Sequence, residues 1–245
     1  MLDRFRHAVL ALDPLTPLTA SSESALTIHH ASPLTVVYAP FEYTPATARI
    51  VLVGITPGHS QASTALKALH FALKGGKSDA EALRIAKMTA SFAGQMRNNL
   101  VKSLDLIGLN SALGLTTCAE LFGTHELAHF TSALRYPVFK AGENYNGAPD
   151  ILRTPMLKAM VDIYLVEEAR SLPDALWLPL GPKPVAALQH LVARKVLPAE
   201  RLLIGLPHPS PANGGPIKQF REGDTSTPYG RAREAMRTRL CSVSL

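Results

Sequence analysis

The chain has 245 residues, 47% of them hydrophobic, and a formal net charge of +6. That length and apolar content support a sizeable core, which excludes a disordered or fibrous chain. No apolar run free of charge and proline reaches the roughly 18 residues of a membrane span. Cys118 and Cys241 are too few for a disulfide framework or an all-cysteine metal or iron–sulfur site.

Residues 1–30 mix an amphipathic start (Phe5, Val9, Leu10) with Pro, Thr and Ser, and read as an N-terminal appendage to a single domain spanning 1–245. The opening residues have charges but no long apolar core, so they read as mature protein rather than a secretion signal. Arg49–Gly54 is a short β-branched run ending at glycine, a buried strand. Residues 61–74 and 78–90 carry apolar side chains at helical spacing, broken by a turn at Gly75-Gly76. Asn98–Ile107 is an amphipathic helix closed by Gly108. Phe130–Tyr136 leans toward strand, and 153–170 reads as a helix starting near Pro155. Ala175–Leu180 is a short apolar strand, Val185–Lys195 a helix, Arg201–Leu206 the last core strand, and 228–240 an Arg-rich final helix.

Strands alternating with helices predict an α/β fold: a three-layer α/β/α arrangement around a central, mostly parallel sheet. In such sheets ligands sit beyond the carboxyl ends of the strands. Two strand ends carry unusual loops there, Gly54-Ile55-Thr56-Pro57-Gly58-His59 and Pro207-His208-Pro209-Ser210-Pro211-Ala212-Asn213. The second is stiff with proline and polar, which suits a loop whose position matters.

A strand ending in GITPG, followed roughly 150 residues later by a strand ending in HPSPAN, resembles the uracil-DNA glycosylase superfamily. The first loop is similar to that family's water-activating G-x-D/N-P-Y/G or G-E-x-P-G motif, the second to its H-P-S-P loop. Between them, Ser91-Phe92-Ala93-Gly94 is similar to the P-F-x-G segment that stacks on the base. Phe130–Arg135 is similar to the T-N-x-x-K strand that reads the base edge, and Leu176–Gly181 to the strand before the last helix–strand unit. The resemblance covers residues 36–220.

The two cysteines and the lack of a secretion signal fit a cytoplasmic protein, and the lack of an apolar span one with no membrane partner. The resemblance implies a monomeric DNA repair enzyme that flips a uracil or related deaminated base out of DNA and hydrolyses its N-glycosidic bond, with no cofactor or metal. His208 would donate to the leaving base, whose negative charge grows in the transition state. Thr56 would position water. Gly54, Ile55, Pro57, Gly58, His59, Phe92 and Ser132 would line the base pocket, and Pro209, Ser210, Pro211 and Asn213 would grip DNA. The net positive charge suits that partner.

Two departures fall inside these motifs. Thr56 stands where the family has Asp or Asn, and Ile55 where another branch has Glu; a threonine hydroxyl orients water without strongly activating it. Ser132 stands where an asparagine reads uracil, and offers fewer directional contacts. Both favour a second reading, a non-catalytic nucleic-acid or base-binding protein on the same fold. A third is a zinc hydrolase: His125-Glu126-Leu127-Ala128-His129 is an H-E-x-x-H pattern, which needs a helix to bring both histidines to one face. The β-leaning run that follows at once argues against that helix. His29-His30 reads as an exposed loop pair, Gly142–Gly147 as either a loop that closes over the site or a plain surface turn, and Arg231, Arg233, Arg237 and Arg239 as a solvated face of the last helix.

Overall fold

The structure, a computed structural model, describes residues 1–14, 24–123 and 126–242. It is mixed α/β and forms two compact units, each drawn from three separated stretches of chain. The first unit comprises Met1–Thr44, Ile55–Ser91 and Leu134–Tyr164; the second comprises Pro45–Gly54, Phe92–Ala133 and Leu165–Leu245.

The first unit is built on an antiparallel sheet that the sequence reading did not anticipate. Strands β1 (Thr27–Ala31), β2 (Leu34–Val37), β5 (Val138–Lys140) and β6 (Glu143–Asn144) pair in the order β1-β2-β5-β6. His29 and His30 are exposed as expected, but they lie on β1 rather than in a loop. Helix α1 (Leu2–Ala11) buries Leu2, Phe5 and Val9, and the Phe5 ring stacks on Tyr38 at 4.8 Å. The remainder of the stretch 1–30 lies partly outside the described residues.

Helices α2 (His59–Lys74) and α3 (Asp79–Ala90) follow each other across the expected Gly75-Gly76 turn, where Gly76 adopts φ +75°. Ser78 caps α3 by accepting from the Glu81 amide at 3.3 Å, satisfying one orphan donor of the first turn. Lys87 of α3 is buried, and its ammonium donates to the carbonyls of Phe41 (2.9 Å) and Tyr43 (2.6 Å). Helix α5 (Pro155–Met160) runs on through a π-helical turn, Val161–Leu165, into α6 (Val166–Ser171) of the second unit.

The second unit holds the parallel sheet that the alternating pattern predicts. Strand β3 (Ile50–Gly54) lies between β4 (Ala128–Ser132) and β7 (Leu176–Pro179), parallel to both. All five residues of β3 are buried, as a strand covered on both faces requires. Trp177 of β7 is fully buried and is among the largest side chains of the core. Helices α4 (Gln95–Leu106), α7 (Pro182–Ala193), α8 (Gly214–Glu222) and α9 (Pro228–Leu240) complete this unit, with a 3-10 turn at Cys118–Phe122.

One expected strand does not form. Arg201–Leu206 begins as the end of a 3-10 turn, Ala199–Arg201, and then touches β7 through a single parallel bridge between Leu202 and Trp177. The reason lies at Gly205, whose φ of +147° breaks strand geometry in a conformation open chiefly to glycine. A β-carbon there would sit 2.7 Å from the Met236 sulfur on α9, so glycine also allows the close approach of that helix.

Candidate functional site

In the second unit three parallel strands end on one rim, and register fixes what meets there. Gly54 pairs with Ser132 across β3 and β4, and Val53 with Pro179 across β3 and β7. A β-carbon on Gly54 would lie 3.4 Å from the Ser132 hydroxyl and 3.7 Å from the Phe92 ring. Three residues distant in sequence and chosen for the base pocket are therefore brought together. The Phe92 ring meets Phe130 edge-on (6.0 Å, 66°), and Phe130 stacks on Phe122 at 4.5 Å. The Arg97 guanidinium lies over Phe122, 4.4 Å from its centroid. Phe92 has φ +48°, a left-handed conformation that costs a side-chain-bearing residue about 1–2 kcal/mol. Such strain persists where surrounding packing imposes it, often at sites.

His208 arrives at the same rim from the loop after residue 206. Gly181, just past β7, donates its amide to the Leu206 carbonyl at 3.0 Å. It adopts φ +87°, and a β-carbon there would stand 3.3 Å from His208 Cβ. Glycine at 181 is thus a positional requirement of the histidine, one that no local sequence signal announces. Burial holds the His208 imidazole below its ordinary pKa, because desolvation penalises the cation. The Ser210 amide donates to His208 Nδ1 at 3.3 Å. In the neutral ring this leaves the proton on Nε2, which becomes the free donor.

The rest of the loop is braced. Pro209 is buried, which withdraws its ring from the DNA contact expected of it; its carbonyl accepts from the Asn99 amide at 3.0 Å. Ser210 caps the short turn Pro211–Asn213, accepting from the Ala212 amide at 3.3 Å. Pro211 is exposed and Asn213 half-buried. Asn99, on α4, is a positioning residue that sequence reasoning missed, since its helix gave only an amphipathic pattern.

The other expected residues belong to the first unit. The Thr56 hydroxyl donates to the Tyr136 carbonyl at 3.1 Å and accepts from the Val138 amide at 3.1 Å. Its proton and one lone pair are thereby committed to backbone, so the expected water-positioning role gives way to a clamp on the segment entering β5. Pro57 is buried, and Ile55 accepts the Leu134 amide through its carbonyl at 3.0 Å. The Gly58 amide donates to Gln61, and the His59 amide to Asn144 Oδ1 at 2.8 Å. The His59 ring stacks on Phe139 at 3.8 Å, with Nε2 2.9 Å from the Gly142 carbonyl. Asn144, a second missed residue, lies so close that a β-carbon on Gly58 would meet its Oδ1 at 3.0 Å.

The H-E-x-x-H reading does not survive. Residues 128–132 are strand β4, so no helical face carries the pair, and Glu126 sits at φ +50°. His125 lies outside the described residues. His129 is fully buried, with Nε2 3.0 Å from Glu168 Oε2 on α6, a link between strand and helix. Of the arginines on α9, Arg231, Arg237 and Arg239 are exposed, as a solvated face requires, and Arg233 is half-buried; Arg231 donates to the carbonyls of Thr225 and Ser226, Arg233 to those of Phe220 and Arg221, and Arg239 to that of Ala199.

Fold and rim define an α/β protein in which Phe92 and Ser132 meet at Gly54, and the histidine loop packs at Gly181, beside the ends of parallel strands within one unit. Its sequence is 37% identical over 198 residues to the uncharacterized protein YoxB of Bacillus subtilis (strain 168), a match spanning 79% of this chain and 77% of YoxB. The chain belongs to the YoxB family. No family model matches it, and no solved structure does. Among the described residues no helix is long and apolar enough to cross a membrane.

Proposed function

We propose that the protein is a DNA glycosylase that removes uracil or a related deaminated base by hydrolysis. The observation that carries this reading is the convergence on one rim of Phe92 and Ser132 at Gly54, and of His208 at Gly181. Cleaving an N-glycosidic bond places negative charge on the departing base. A neutral imidazole with its proton on Nε2 is a fitting donor to that charge, and the partly buried setting of His208 strengthens the interaction. Phe92 supplies an aromatic surface for an extruded base, and the Ser132 hydroxyl one donor and two lone pairs for its edge. The Thr56 hydroxyl, bonded to the Tyr136 carbonyl and the Val138 amide, serves in this reading to hold its loop.

The test is cleavage of labelled oligonucleotides carrying uracil opposite guanine, opposite adenine or in a single strand, and others carrying hypoxanthine or xanthine. Alkali and heat then break any abasic site. The expected result is strand breakage that His208→Ala lowers by about a hundred- to a thousand-fold while DNA binding persists. Equal loss of cleavage and binding would make His208 structural. Binding without breakage on every substrate would favour the second reading, recognition without catalysis, to which Ser132 and the engaged Thr56 hydroxyl lend weight.

A further inference from the structure

An open groove of about 950 Å³ runs between α4 and α8 in the second unit and reaches Pro211 of the histidine loop. Its volume falls in the range of ligand-binding clefts. One wall is the face of α4 formed by Gln95, Asn99 and Lys102, four and three residues apart and so aligned along the helix. The opposite wall is α8, where Ile217 is buried and Lys218 and Arg221 are exposed.

The charges in the groove are unequal in availability. Asp105 is spent on the Thr117 hydroxyl (2.7 Å) and the Cys118 amide (2.6 Å). Glu222 lies 3.7 Å from Lys218. Lys102 and Arg221 are exposed, and neither forms an ion pair among the described residues. The lining contains no aromatic ring, so bases find no stacking platform. Cations without aromatics suit phosphate and sugar rather than base. At the loop end, Asn99 joins the groove wall to the histidine loop through its bond to the Pro209 carbonyl.

We infer that this groove holds the phosphodiester backbone of a nucleic-acid strand, with Lys102 and Arg221 facing its phosphates. The inference rests on the proposed DNA-directed function and assigns the path of the strand beyond the histidine loop. Occupying the groove fills the space beside Asn99, the residue that steadies that loop.

The test is fluorescence anisotropy of a labelled single-stranded oligothymidylate, which contains no uracil, titrated with the full chain over a series of salt concentrations. Lys102→Ala and Arg221→Ala should each weaken binding and reduce the slope of log affinity against log salt by about 1. Lys67→Ala, an exposed cation on α2, should leave both unchanged. Far-UV circular dichroism and Tm should match the parent, since both groove positions are exposed. Wild-type affinity and slope in the double variant would overturn the inference, as would a parent chain that does not bind. Displacement by thymidine monophosphate or inorganic phosphate at equal phosphate concentration would assign the groove to a free anion and overturn the strand. Uracil excision by a chain whose double variant binds normally removes the groove and leaves the glycosylase. Weakened binding in a chain without excision does the reverse.

Discussion

At the level of single side chains, burial sets the charge state of His208. Its folded pKa lies below the ordinary 6.5, so between those two values the unfolded chain binds more protons than the folded one. Stability therefore rises with pH through that window. The contribution is complete above about pH 6.5 and is lost as the pH falls through the folded value. Urea midpoints measured from about pH 5 to 7 should fall more steeply toward acid in the parent than in His208→Gln, which has no proton to gain. The same burial favours the neutral imidazole, whose Nδ1 accepts from the Ser210 amide. The choice of His208, Phe92 and Ser132 was legible from motif resemblance. Their partners Gly181 and Asn99 were not, because a glycine after a strand and an asparagine in a helix each have many ordinary explanations.

Elements carry the next level of constraint. The loop after β3 is fastened by the Thr56 hydroxyl, which closes two backbone groups on either side of Pro137. Thr56→Val keeps the shape and removes both bonds, leaving the Tyr136 carbonyl and the Val138 amide without this partner. The expected cost is about 1–3 kcal/mol, read as a lower urea midpoint. Loss of cleavage without loss of stability would instead return Thr56 to the chemistry. Helix α9 matches the stretch read from sequence, Pro228–Leu240, because Thr227 and Pro228 are strong start signals. β7 matches within a residue for a similar reason: a short apolar run bounded by Pro and Gly. The segment 201–206 fails because its periodicity says nothing of the backbone angle that Gly205 adopts beside Met236.

The whole molecule is threaded so that each compact unit takes three stretches of chain. The middle strand of the parallel sheet, β3, comes from the stretch Pro45–Gly54, while β4 and β7 come from beyond residue 92. A fragment spanning 92–245 therefore lacks the strand that pairs with both others. It should show no cooperative thermal transition by circular dichroism, since each remaining strand loses its backbone partner. A cooperative transition in that fragment would mean that β4 and β7 are held by their helices alone.

The sequence by itself determined the α/β class, the buried strand at 49–54 and the helices that flank it. These follow from local periodicity, caps and turn residues, which act within a few positions. It also marked the histidine loop, because three prolines and a histidine after an apolar run are locally conspicuous. Tertiary structure alone decided that Phe92 and Ser132 meet at Gly54, that Gly181 makes room for His208, and that His129 lies on a strand, set against Glu168. Those facts depend on strand register and on contacts between residues dozens of positions apart, which no local pattern encodes.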